Sequence, residues 1–125
     1  MVTRTLLDVL KLDYSPAARE TSETQSLAPV YAGDIILFAY TIPIVLSADA
    51  DVVSLGHTGS VDRFTADYTM TGGTVGTPID GQTGAMPRTI LLDQTLIADY
   101  TSAGAGGATI PKVRFVVGIL RAPRF

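Results

Sequence analysis

The chain has a single histidine, His57, within the run Gly56-His57-Thr58-Gly59-Ser60. Ser54, Ser60, Asp49, Asp51 and Asp62 lie close by in sequence, so a nucleophile, a base and an orienting carboxylate are all present as residue types. Their arrangement argues against that chemistry. No serine sits in a G-x-S-x-G elbow, and an imidazole in a glycine-rich turn is usually just exposed. We expect no catalytic residues and no enzymatic activity. Gly56 to Ser60 and Gly81-Gln82-Thr83-Gly84 have the glycine density of phosphate loops, but no G-K-[ST] follows and no helix of useful length begins there. Asp49, Asp51 and Asp62 offer carboxylates to a hard cation, yet D-x-D running straight into Val52-Val53 lacks the spaced oxygens of an EF-hand loop. They read as solvated corner acids, with no metal and no cofactor. Tyr31, Phe38, Tyr40, Phe64, Tyr68, Tyr100 and Phe115 have rings that could stack on sugars or bases. Most fall in strand patterns and there is no tryptophan, so core and interface roles are expected.

With no chemistry singled out, the scaffold itself becomes the subject. A length of 125 residues is enough for one domain with a real core. Twelve glycines and seven prolines imply many turns, hence many short strands rather than a few long helices. A net charge of −3 is unlike a nucleic-acid binder working through a basic surface. The charge is unevenly spread. Residues 1 to 51 hold Asp8, Asp13, Glu20, Glu23, Asp34, Asp49 and Asp51 against Arg4, Lys11 and Arg19, while residues 88 to 125 hold Asp93 and Asp99 against Arg88, Lys112, Arg114, Arg121 and Arg124. Two readings stand: ordinary surface variation, or acidic and basic ends that meet different neighbours in an assembly. Without cysteine there are no disulfides or thiolate metal sites. The N-terminal MVTRTLLDVLKLDY is interrupted by Asp8, Lys11 and Asp13, and the run Ile35 to Leu46 is about half the ~20 residues that span a bilayer. A soluble protein made in the cytoplasm is expected, without membrane partners.

The chain is organised around Gly33 to Leu55. A Gly-Asp turn opens a strand, Ile35 to Ile42, that is apolar at both alternating sets of positions. A strand greasy on both sides lies between two layers or has its second face covered by another chain. Pro43 removes a ladder donor, so the strand should end, bulge or run along an edge there. Residues 3 to 12 fit either a helical face (Leu6, Leu7, Leu10) or a strand, and Thr3 and Thr5 favour the extended form. Residues 14 to 29, bracketed by Pro16 and Pro29, read as a long loop or linker. Further strands are expected over Asp51 to Leu55, Arg88 to Leu92, Thr95 to Thr101 and Lys112 to Leu120, the last with Val113, Phe115, Val117 and Ile119 on one face. Residues 61 to 68 fit one helical turn or a strand, the turn being favoured. Residues 69 to 87 and 102 to 109 read as glycine-rich loops. The fold class is therefore all-β, an antiparallel β-sandwich or jelly roll, with an extended N-terminal arm over residues 1 to 30 and a sandwich domain over 31 to 125.

The segments Gly33-Asp34-Ile35-Ile36 leading to Ile42-Pro43, then Asp51-Val52-Val53-Ser54-Leu55-Gly56-His57-Thr58-Gly59-Ser60-Val61-Asp62-Arg63-Phe64, resemble small head-associated structural proteins of tailed bacteriophages. Leu96-Ile97-Ala98-Asp99-Tyr100-Thr101, the loop Ala103 to Thr109 and the strand Val113 to Ile119 occupy the later positions of that pattern. The resemblance covers about residues 33 to 120; the N-terminal arm and the Pro-Arg-Phe end depart from it. It implies a capsid cement or decoration protein of the virion, bound to the outer surface of the major capsid protein lattice, commonly as a symmetric oligomer. A homo-oligomer, dimer or trimer, is expected. Leu6, Leu7, Leu10, Tyr14 and Tyr31 at one end of the chain and Arg121, Arg124 and Phe125 at the other are the expected partner contacts. The alternative is a receptor- or carbohydrate-binding module of a tail fibre or spike, which needs exposed aromatics on the loop 69 to 87.

Overall fold

The computed structural model describes residues 6–58, 64–79, 86–104, 107 and 109–123. Among these described residues eight strands occur in chain order: β1 (Leu6–Tyr14), β2 (Glu23–Val30), β3 (Ile35–Val45), β4 (Val52–His57), β5 (Tyr68–Thr69), β6 (Arg88–Thr89), β7 (Gln94–Thr101) and β8 (Lys112–Arg121). They form two four-stranded antiparallel sheets, β1-β8-β3-β6 and β2-β7-β4-β5. The pairing is nested: first strand with last, second with seventh, third with sixth, fourth with fifth. The described β1–β2, β2–β3, β3–β4 and β6–β7 turns therefore fall at the two ends of the sandwich.

Alternation decides which residues enter the core. Val113, Phe115, Val117 and Ile119 of β8 are buried, as the sequence pattern predicts, and meet Leu96, Ala98 and Tyr100 of β7 and Val53 and Leu55 of β4. Each large side chain fully removed from water stabilises the fold by about 1.5–3 kcal/mol. Glycine at 33 is required by its φ of +92° in the turn that opens β3. In β3 the register shifts between Ile36 and Phe38, so that Ile36, Ala39 and Thr41 point inward while Phe38, Tyr40 and Ile42 point outward. This bulge explains why the strand reads as apolar on both faces. A second shift follows at Pro43, which lies on the side of β3 that carries no continuous strand. There the 74–79 segment closes the edge: Gly76 N–H donates to the Pro43 carbonyl and Ile79 N–H to that of Thr41, both at 2.8 Å.

Several expectations are refined by the structure. Residues 6 to 30 are not an arm laid outside the sandwich, because β1 pairs with β8 at nine consecutive positions and β2 with β7 along nearly its whole length. Two edge strands stand where the sequence read an arm and a linker, and the side chain of Tyr14 fills the core at 1% exposure. Some acids of the first half pair with bases of the last within the chain. The β1–β8 register sets Asp13 beside Arg114 and Lys112, and Asp8 beside Arg121. Residues 64 to 67 are irregular and lead into β5, with no helical turn there; 61 to 63 lie outside the described residues. The strand expected at Arg88 to Leu92 is two residues long, since Leu91 and Leu92 belong to an exposed corner.

Candidate protein interface

The outward side of the β1-β8-β3 sheet carries cross-strand rows that can be read from its register. One row is Leu7, Leu120 and Ile35; the next is Val9, Gly118 and Phe38; then Lys11, Val116 and Tyr40; and last Asp13, Arg114 and Ile42. Two rows are wholly apolar, the third has one charge, and the fourth is mainly ionic. Leu7 is 58% and Val9 48% exposed. Phe38 lies flat across Gly118, where a Cβ would overlap its ring, and stacks obliquely on Tyr40 with centroids 5.5 Å apart. Glycine here is a steric requirement: its missing side chain is the seat of the aromatic ring.

At one end of this sheet the β6–β7 corner projects Leu91 and Leu92, 80% and 67% exposed, while Leu6 is exposed at the start of β1 on the opposite edge. The corner is fixed from below. Gly33 N–H donates to the Ile90 carbonyl at 2.7 Å, Ile90 N–H to that of Asp34 at 2.7 Å, and Ala32 N–H to Asp93 Oδ1 at 2.9 Å. Asp34 is buried and accepts from the N–H groups of Tyr31 and Ala122 and from Arg121, each at 2.9 Å. Burial opposes its ionisation, but the two N–H groups and the guanidinium outweigh that and hold the carboxyl below its ordinary range. Exposed leucines thus stand on a rigid, charge-stapled base. Between this corner and β4 is a shallow recess of about 230 Å³, lined by His57, Arg88, Thr89, Ile90, Leu91, Leu92 and Gln94.

The opposite end is polar and closed. Arg19, 3% exposed, pairs with Asp49 and lies 3.5 Å from Asp51, which is fully buried. Asp51 also accepts from the Ser47 hydroxyl at 2.6 Å and Ala103 N–H at 2.8 Å. Desolvation pushes its pKa up, yet these donors and the Arg19 charge pull it further down, below the usual carboxylate range. Tyr100 and Ser102 hydroxyls both donate to the Arg19 carbonyl, at 2.8 and 2.6 Å. Burial and the Asp51 charge push the Tyr100 phenol up to about 12. Asp49 is thus paired with a guanidinium while its side chain stays exposed, Asp51 is paired and buried, and no cluster able to hold a metal occurs among the described residues.

His57 is buried, with Nδ1 3.0 Å from the Thr58 carbonyl and its ring 5.4 Å from that of Phe64. Asp51 and His57 are six residues apart along an extended strand, roughly 20 Å, so carboxylate and imidazole sit at opposite ends of the sandwich. Asp62 and Ser60, like the Gly81 to Gly84 run, lie outside the described residues. Of the expected partner contacts, Leu6 and Leu7 are exposed on β1. Leu10 instead packs against the core, and Tyr14 is core, its hydroxyl donating to Glu23 Oε1 at 2.6 Å. Tyr31 is half-buried in the β2–β3 turn, and Arg121 is taken up by Asp8 and Asp34. Arg124 and Phe125 lie outside the described residues. Sequence reasoning missed Val9, Leu91 and Leu92. The signal available for the latter two was a leucine pair abutting the Asp93-Gln94 turn.

The described residues thus form an all-β sandwich with a packed core, a polar closed end and one greasy outer flank. The sequence matches no protein-family model and no curated protein. In fold it is similar to a chain in the solved "Acidic stable capsid structure of Helicobacter pylori bacteriophage KHP30", with a TM-score of 0.61 and 11% identity. The match covers 97% of this chain and 92% of that one.

Proposed function

We propose that the chain is a structural protein of a tailed-phage virion, a cement or decoration subunit seated on the outside of the major capsid protein shell. The observation that carries this reading is the outer flank of the β1-β8-β3 sheet, with its two apolar rows, together with the exposed Leu91 and Leu92 at the same end of the sandwich. Exposed apolar surface on an otherwise well-packed domain supports a docking role. The near full-length likeness to a chain in a phage capsid structure supports a capsid partner. First-with-last strand nesting is compatible with a jelly roll, an architecture found in viral capsid domains. Many copies of a modest clip, each spanning a joint between shell subunits, would hold a pressurised head through multivalency. The flank and the leucine corner replace Leu10, Tyr14 and Arg121 as the docking residues.

The carbohydrate-binding reading finds little support. The described part of the 69 to 87 loop carries no aromatic residue, and Met70 and Met86 pack into or against the core. The test is to purify virions of the phage whose genome carries this gene and to locate the chain by mass spectrometry and cryo-electron microscopy. Density on the outer shell is expected. Presence in infected-cell lysate but not in purified heads would defeat the proposal.

A further inference from the structure

Sheet edges differ sharply in how they are protected. A long, flat, unpaired edge is an invitation to another strand, and folded proteins blunt such edges with proline, bulges, short strands or covering loops. Edge strand β2 has Pro29 and a register shift between Ser26 and Ala28. Edge strands β5 and β6 are two residues each, and the rest of the β3 edge is covered by the 74–79 segment. β1 lacks these backbone devices and carries only the charges of Asp8, Lys11 and Asp13 along its length. Its nine residues contain no proline or glycine, its register with β8 is unbroken, and no described residue pairs with its other side. Leu7 and Val9 lie exposed along it, and Leu10 and Leu12 are only half-buried behind it.

We propose that this edge is a self-association site, in which β1 of a second copy of the chain adds antiparallel to β1 and joins two four-stranded sheets into one of eight. This goes beyond the virion reading and does not depend on it. A two-fold axis normal to the sheet keeps outward residues opposite outward residues, so the axis falls on one residue of the strand. On Lys11 it would set lysine against lysine, and on Leu10 it would set Val9 against Lys11 with no charge pair at all. On Leu12 it sets Lys11 against Asp13 twice, once on each side of the axis, and Leu10 against Tyr14. This register is the charge-complementary one. Asp13 keeps acceptor capacity for it, since a carboxylate offers about four lone-pair sites and Arg114 takes two bonds, at 2.6 and 3.1 Å. Leu12 would meet its own counterpart, closing the gap at the edge of the core.

The test is the oligomeric state of the purified chain by sedimentation equilibrium, with circular dichroism confirming that each variant is folded. A dimer is expected for the wild type. Lys11→Glu and Asp13→Lys each place like charges opposite one another at both pairs, and each should weaken self-association about tenfold. Mixed in equal amounts, the two variants regain opposite charges at both pairs and should associate again. Both substitutions are on the exposed side of the strand, away from the core. A monomeric or trimeric wild type, single variants that dimerise like the wild type, or a mixture that stays monomeric would each overturn the proposal.

Discussion

The two ends of the sandwich handle chain reversal by opposite means. At one end the turns after β1, β3 and β7 converge on Arg19, whose charge and carbonyl are both consumed by Asp49, Asp51, Tyr100 and Ser102. At the other end the turns after β2 and β6 are stapled through Asp34 and Asp93, and the side chains left over, Leu6, Leu91 and Leu92, point outward. The arginine end uses its polar groups on itself and offers little to a partner. The leucine end buries its polar groups and presents grease. A stable domain needs only the first kind of end; the second kind makes sense when something else covers it.

Substitutions at the two ends should therefore differ in kind. Arg19→Ala leaves Asp51 buried without its counter-charge and should cost about 3–5 kcal/mol in denaturant unfolding. A loss under about 1 kcal/mol would mean the arginine end is not the brace described. Between the ends, Gly118→Val drives a side chain into the Phe38 ring and should cost about 1–3 kcal/mol by the same assay. It should also weaken head binding by displacing Phe38 from the outer flank. Acid sharpens the comparison further. Asp34 and Asp51, one at each end, both titrate below the ordinary carboxylate value. In the unfolded chain such groups take up protons near pH 4 while the native ones stay ionised, so their contribution is complete above about pH 4 and falls away at lower pH. Thermal melts from pH 6 to pH 2 should show this decline, flattened by Asp51→Asn and, separately, by Asp34→Asn. A pH-independent melting temperature would contradict both sites. The smallest stability effect is expected for Leu91→Glu with Leu92→Glu, within about 0.5 kcal/mol of the parent. That pair should nevertheless abolish the proposed binding to heads; retained binding would remove the leucine corner from the proposed docking surface.

Much of the fold was legible because alternation is a local signal. Val113, Phe115, Val117 and Ile119 declared their face at a period of two, and the Gly33-Asp34 turn and Pro43 announced the start and the irregular end of β3. The extended form of β1 was legible but its place in the sheet was not, and β2 was not legible as a strand. β2 contains Glu23, Thr24, Gln25 and Ser26, polar residues tolerated because an edge strand with one solvated face needs few apolar positions. The arginine end was equally hidden. Asp49 and Asp51 look like solvated corner acids until Arg19, some thirty residues earlier, is known to reach them.

Residue order alone determined that this chain forms short antiparallel strands around a Val- and Ile-rich core, since side-chain period and turn chemistry act between near neighbours. Only the tertiary structure decided which acids meet which bases, that residues 6 to 30 belong to the two sheets, and which leucines remain outside. Those outcomes depend on strand order and register, which bring together groups a hundred residues apart, such as Asp13 and Arg114. No local pattern encodes that distance.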